Sequence, residues 1–310
     1  MNNAFIFSGQ GSQKEGMGYE LYCKNAHAKR IYDIADEIVG EKLSERIFRS
    51  TELELMDTRL TQPAIFIYEV AAAASQNDIK PDCVAGHSLG EYAALVTCGA
   101  LSFEEALPFV MHRGLVFHEA FQKHPSAMGA IIGIADNVVL DVLAEVGAED
   151  NEKLYVANYN GPGQLVITGA RNSIKKACKR LKAMDAKRAL LLPMKGVGHS
   201  PNSAEEGEIL AKELRKLTFN DAKIPIYQDA DGIAHTDAGE ILENQIKLMT
   251  YPVLWTDIIM NMKRDGVTVF YEVGTDDTLQ KITARMCPDL LVTSIWSAET
   301  YKNINPYKIS

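Results

Sequence analysis

The chain has 310 residues, of which 46% are hydrophobic and 24% charged, ordinary values for a globular protein built as one large domain or one with a smaller insertion. A net charge of −9 argues against general nucleic-acid binding, which rests on neutralising phosphates, and no uncharged run approaches the roughly 20 residues that span a bilayer. Because residues 1–7 also lack the basic region and long apolar run of a secretory signal, the expectation is a soluble, cytoplasmic chain with neither nucleic-acid nor membrane partner.

In chain order, residues 4–7 read as a short buried strand, followed by the turn "SGQGSQ". Amphipathic helical patterns cover 26–39 and 62–74. A second short strand covers 84–86, and "EYAALVTC" makes 90–98 helical. A further helix, 102–119, opens on Ser102 with Glu105 three residues later, the capping-box pattern. From residue 127 the texture changes. "AMGAIIGI", "LYVANYN", "QLVITG" and "RALLLP" read as four strands, with helices at 138–146 and 173–184, in the β-α-β-β-α-β order of a ferredoxin-like unit. Strands then resume with "IPIY", "VTVFYEVG" and "LVTSIW". The pattern predicts an α/β domain with a mainly parallel sheet over 1–122 and 194–310, interrupted by a small α+β domain over 123–193. A cleft between the two is the natural ligand site.

Five scattered cysteines, Cys23, Cys83, Cys98, Cys178 and Cys287, form no C-x-x-C pair and read as reduced thiols with no metal role. The segment 171–188 carries eight basic residues against one acidic, Asp185. Such runs usually mark a solvated helix face. The alternative is that Lys175, Lys176, Lys179 and Arg180 steer an acidic partner or a phosphate group towards the chain.

The chemistry concentrates in "GHSLGEY", residues 86–92, inside an otherwise apolar run. Gly86-His87-Ser88-Leu89-Gly90 fits G-x-S-x-G, in which a serine occupies a sharp strand-to-helix turn and side chains at either glycine would clash. A glycine-flanked serine can also simply cap a helix. The apolar strand before it and the helix-forming run after it favour a nucleophile, with the Leu89 amide as an oxyanion donor at the helix N-terminus. A base is then required, and seven histidines are available: His27, His87, His112, His118, His124, His199 and His235. His87 adjoins the serine and is expected to point away across the turn in a supporting role. His199 stands in "MKGVGHSPNS", a loop after the last small-domain strand, with Gly196 and Gly198 before it. On the residues alone, a catalytic and a surface-loop histidine are equal readings.

Eight motifs, in order, resemble the malonyl-CoA:acyl carrier protein transacylase family: "FSGQGSQ", "TQPA" (61–64), "AGHSLGEYAAL" (85–95), "RG" (113–114), "NGPGQLVITG" (160–169), "GHSP" (198–201), "YPVLW" (251–255) and "YEVG" (271–274). The resemblance covers nearly the full chain and implies an α/β-hydrolase-like core with the inserted ferredoxin-like domain. It implies transfer of malonyl from malonyl-CoA, as substrate rather than cofactor, to the phosphopantetheine thiol of an acidic acyl carrier protein, feeding fatty-acid synthesis. Ser88 matches the family nucleophile and His199 its base. Leu248 matches the position whose backbone carbonyl orients that histidine, where the family usually has glutamine. Gln10 matches a residue lining the oxyanion site with the Leu89 amide. Arg113 matches the arginine that holds the substrate's free carboxylate, for which a buried salt bridge is the plain alternative. Asn160 matches a pocket-side position, or is a turn residue before Gly161-Pro162-Gly163.

Competing readings are a serine acyl hydrolase or thioesterase, an inactive carrier-binding scaffold and a nucleotide-binding protein. Arg113 has no general purpose in an esterase, a scaffold has no need of both Ser88 and His199, and Lys14 breaks G-x-G-x-x-G after "SGQG". Three departures from the family pattern stand out. Ser8 replaces a common proline and is expected to loosen the loop. Gly198 replaces a bulkier residue, leaving room for a substituted malonyl group. Asp276 and Asp277 replace a Pro-Gly turn.

Overall fold

The structure, a computed structural model, describes residues 2–123, 125–193 and 198–295. His124, Gly196 and the Trp296 of "LVTSIW" lie outside the described residues. The chain begins β1 (Asn3–Phe7), α1 (Tyr19–Lys24), α2 (Ala26–Val39), α3 (Leu43–Arg49), α4 (Thr58–Ala74), β2 (Cys83–Gly86), α5 (Gly90–Cys98) and α6 (Phe103–Lys123). It continues β3 (Ser126–Ile132), α7 (Asp136–Asp150), β4 (Tyr155–Gly161), β5 (Gln164–Ala170), α8 (Arg171–Ala183) and β6 (Arg188–Leu191). The last part is α9 (Ala204–Leu214), β7 (Ile226–Tyr227), β8 (Ala234–His235), α10 (Ala238–Lys247), α11 (Trp255–Arg264), β9 (Val269–Val273), α12 (Thr278–Met286) and β10 (Leu291–Ile295).

The large sheet runs β10-β9-β1-β2-β7-β8, parallel except for the β8 edge. Its strands are short apolar runs because both faces are covered. Phe5 and Phe7 of β1 pack with helices α2, α4 and α6 on one face, while Ala4 and Ile6 pack with Trp255 and Ile258 of α11 on the other. Phe7 stands opposite both Gly86 and Val273, so the carboxyl ends of β1, β2 and β9 finish level. The loops that follow them converge at that edge, where open α/β sheets bind ligands.

The second sheet runs β4-β5-β3-β6, antiparallel throughout. Its strand and helix order is that of the split βαβ unit. One face, with Ile131 and Ile167, packs on Val142 of α7 and Ile174 and Leu181 of α8. The opposite face carries Met128, Ala157 and Val166. The small sheet is tied to the segment just before α11: the Tyr159 N–H donates to the Val253 carbonyl (2.9 Å), and the Val253 N–H donates to the Ala157 carbonyl (2.8 Å).

Two boundaries differ from expectation. Helix α4 begins at Thr58 rather than 62, because the Asp57 carboxylate accepts from the Arg59 N–H and caps a turn that the apolar periodicity does not mark. "IPIY" pairs only through Ile226 and Tyr227. Among the described residues no helix is long and apolar enough to cross a membrane.

Candidate active site

β2 enters the elbow at Gly86 and α5 leaves it at Gly90. A Cβ on Gly86 would stand 2.1 Å from the Gly90 carbonyl carbon, and one on Gly90 would stand 2.4 Å from the Phe7 carbonyl oxygen. Ser88 between them is held at φ +56°, a left-handed conformation that a serine adopts only where its surroundings impose it. The turn lifts its hydroxyl into a cavity of about 480 Å³ between the two sheets.

His199, also at positive φ (+59°), approaches from the opposite side. Its Nε2 lies 2.6 Å from Ser88 Oγ, and its Nδ1 lies 2.9 Å from the Leu248 carbonyl. Leu248 caps the C-terminus of α10, where free carbonyls and the helix dipole favour an imidazolium. That contact fixes the tautomer: Nδ1 carries the proton and Nε2 is free to take one from the hydroxyl. Burial, with the Arg113 cation and His87 nearby, pushes the His199 imidazole down to about 3, so it is neutral at ordinary pH.

Arg113 sits in the middle of α6 and is 1% exposed. Its Nη1 donates to Gln62 Oε1 (2.9 Å), its Nη2 lies 3.4 Å from Ser88 Oγ, and its guanidinium lies 4.3 Å from the Phe117 ring centre. Among the described residues its hydrogen-bond partners include no carboxylate, and its Nε has no hydrogen-bond partner. The plain alternative of a buried salt bridge is therefore not what is found. Burial pushes the guanidinium below its ordinary value, against the opposing pull of Tyr92 and of the buried Asp229 and Glu91 carboxyls nearby. "TQPA" and "RG" are two halves of this arrangement. A Cβ on Gly114 would stand 2.6 Å from the Thr58 carbonyl oxygen, so the glycine lets α4 cross α6 closely enough for Gln62 to reach Arg113.

Gln10 and Asn160 line the same cavity, and Leu89 is buried at the start of α5. Asn160 is a strand residue of β4 rather than part of the turn, and its Oδ1 lies 2.8 Å from His87 Nε2. His87 does not point away across the turn; it lines the cavity beside Ser88 and packs against Trp255. Ser8 does not loosen its loop either, since it is 2% exposed and its Oγ donates to Glu272 Oε1 (2.9 Å). Asp276 accepts from the Thr278 N–H at the start of α12, and Asp277 pairs with Lys281 (2.7 Å). Among the described residues, no cluster of His, Cys, Asp or Glu is placed to hold a metal ion.

Sequence reasoning missed the buried polar residues beneath the elbow. The Ser88 N–H donates to Asp229 Oδ2 (2.6 Å), and the Asp229 N–H donates to Glu91 Oε2 (2.9 Å). The available signal was Glu91 itself, a charged residue in a run with no solvent face.

The acyl transferase domain family model matches residues 4–295. The chain belongs to that family. It is 36% identical over 299 residues to the malonyl CoA-acyl carrier protein transacylase of Bacillus subtilis, covering 96% of this chain and 94% of that one. An acyl carrier protein S-malonyltransferase from Vibrio cholerae superposes with a TM-score of 0.91 at 32% identity, over 98% of this chain and all of the other. A malonyl-transacylase solved in complex with a type II PKS acyl carrier protein superposes at 0.92 with 29% identity, over 97% of this chain and 98% of that one. The acyltransferase fold thus accounts for both sheets.

Proposed function

We propose that this acyltransferase transfers a malonyl group from malonyl-CoA to the phosphopantetheine thiol of an acyl carrier protein, supplying fatty-acid synthesis in the cytoplasm. The reading makes residues 1–122 and 194–310 the catalytic domain and 123–193 the small domain that closes the cleft. The observation that carries it is a serine hydroxyl 2.6 Å from a neutral imidazole, beside a buried guanidinium whose hydrogen-bond partners among the described residues include no carboxylate.

Ser88 Oγ attacks the thioester carbonyl as His199 Nε2 takes its proton. The carbonyl oxygen becomes an oxyanion, stabilised by the Leu89 N–H with Gln10 beside it. Collapse breaks the carbon–sulfur bond, and the leaving CoA sulfur takes the proton back from His199. The phosphopantetheine thiol then gives its proton to the same nitrogen and attacks the acyl-serine. Ser88 leaves with that proton, so the enzyme ends as it began. Throughout, Arg113 holds the malonyl carboxylate with paired hydrogen bonds. His87 and Asn160, bound to each other, shape the wall beside Ser88.

Intact-mass analysis after mixing the protein with a panel of acyl-CoAs tests this directly. A malonyl adduct on wild type and none on Ser88→Ala is expected, and a persistent adduct in the variant would remove the assigned nucleophile. Whether the enzyme also takes a substituted malonyl group is read by the same panel, including methylmalonyl-CoA.

A further inference from the structure

Glu91 is the second residue of α5, 1% exposed, and it does not line the cavity. Its Oε2 accepts the Asp229 N–H at 2.9 Å, and its Oε1 accepts from Gln228 Nε2 at 2.9 Å and from Gln245 Nε2. Each partner leads to the reacting groups. Asp229 Oδ2 accepts the Ser88 N–H, so this branch ends on the backbone of the elbow. Gln245 lies in the last turn of α10, three residues before Leu248, whose carbonyl holds His199 Nδ1. Gln228 Nε2 also donates to the Ile241 carbonyl (3.1 Å), a second tie to α10.

A carboxyl placed here is costly. Burial pushes both the Glu91 and the Asp229 carboxyls up, and Asp229 Oδ1 has no partner among the described residues. Replacing buried polar groups of this kind by well-packed apolar ones is commonly neutral or stabilising. What an apolar side chain cannot do is hold two elements at a fixed hydrogen-bonded separation. Proton transfer across 2.6 Å needs that precision, and a misplacement of about 1 Å can slow a reaction about 100-fold.

We infer that Glu91 is a positioning residue for acyl transfer, setting Ser88 and His199 in one frame by tying Asp229 and Gln245 to the same carboxyl group. The inference rests on the reading of Ser88 and His199 as nucleophile and base. Glu91 touches neither reacting side chain, so it acts through geometry rather than by moving a proton.

Single-turnover acylation of Ser88 by malonyl-CoA tests it, with KM for malonyl-CoA and the thermal midpoint measured alongside. Glu91→Leu is expected to slow acylation about 100-fold, with KM within about twofold because the Gln62–Arg113 pair is untouched. Glu91→Gln, which can still accept the Asp229 N–H while the neighbouring amides turn over, is expected to recover most of that loss. Gln245→Met, which cuts only the His199 branch, is expected to slow acylation about tenfold and carries the test should Glu91→Leu not fold. Wild-type rates in Gln245→Met, or a KM that rises in step with the loss of rate, would overturn the inference. Ser88→Ala in the same assay separates the two claims: an adduct in it removes the nucleophile, whereas a Ser88-dependent adduct at wild-type rate in Gln245→Met removes only the role of Glu91.

Discussion

On the large-sheet side of the cleft, three of the polar groups stand where strands end and helices begin or stop: Ser88 after β2, Leu248 after α10, Gln10 after β1. The elbow that presents Ser88 is set by backbone contacts at Gly86 and Gly90 too close to give way. On the small-sheet side the cavity meets the flat of a sheet, with Met128, Ala130 and Val166 as alternate residues of β3 and β5. There the wall is made of side chains that can repack. Strand ends and helix termini supply fixed donors and acceptors, so the bond-making groups belong to the first wall. The second sets the space that an acyl group fills.

Two glycine substitutions can break this contrast. In Gly86→Ala the new Cβ would stand 2.1 Å from the Gly90 carbonyl carbon and 2.2 Å from the Glu91 nitrogen. Backbone cannot move aside, so loss of the malonyl adduct and at least about 3 kcal/mol of stability are expected. In Gly129→Ala the nearest atoms are side chains, Cys178 Sγ at 2.8 Å and Ile167 Cγ1 at 3.1 Å. A loss of about 1–3 kcal/mol with adduct formation kept is expected there. Urea denaturation and intact mass of both proteins decide, and equal loss of adduct would erase the distinction between the walls.

Arg113→Ala sharpens it within the first wall. Loss of a charge-assisted contact to the malonyl carboxylate is expected to cost about 2–3 kcal/mol in kcat/KM for malonyl-CoA. Acetyl-CoA, which has no carboxylate to hold, should lose little. Equal losses for both substrates would contradict the carboxylate role.

The sequence carries the fold well where physical periodicity is strong. The ferredoxin-like order of four strands and two helices is readable in 127–193, and the elbow glycines announce the turn by crowding alone. The pairing of Ser88 with His199 is different, because 111 residues separate them and seven histidines compete. Only the family resemblance singles out His199 and the Leu248 carbonyl, a backbone atom with no sequence signature. The Glu91, Asp229 and Gln245 cluster stayed hidden because Glu91, though out of place in an apolar run, names no partner, and Asp229 and Gln245 alone read as ordinary surface polar groups. Their common burial arises only when α5, the loop after β7 and α10 meet.

The electrostatics of the site predict a pH signature. The imidazole is pushed down to about 3 by burial and by the Arg113 cation, so it stays neutral in the folded protein as pH falls below 6.5, where the unfolded chain takes up a proton. That shift removes stability progressively between pH 6.5 and 3. A malonyl carboxylate on Arg113 offsets the cation and makes His199 more basic in the complex. The acid limb of acylation is therefore expected at higher pH in kcat than in kcat/KM, with both below 6.5. Profiles measured from about pH 2.5 to 8 check this, and limbs that coincide near 6.5 would contradict the coupling of Arg113 to His199.

The smallest expected effect concerns the outer face of the small domain. On α8, Ile174, Ala177, Cys178 and Leu181 face the core, so the remaining positions divide into two sets. Lys176 and Arg180 lie against α7, where Lys176 pairs with Glu149 (2.8 Å) and Asp150 (2.6 Å) and Arg180 with Glu149 (2.6 Å). Cations neutralised in this way contribute little to long-range attraction, so of the four residues named in the alternative, steering reading, two remain. Lys175 and Lys179, one turn apart and exposed, are the pair left to meet an acidic carrier protein. Lys175→Glu with Lys179→Glu should slow transfer to the carrier a few-fold at low salt, and the effect should vanish near about 0.5 M, where the screening length falls below about 5 Å. Self-acylation by malonyl-CoA should not change, because the substitutions lie outside the cavity. Unchanged carrier kinetics at low salt would make α8 a solvated face and leave carrier recognition to the rim of the cleft.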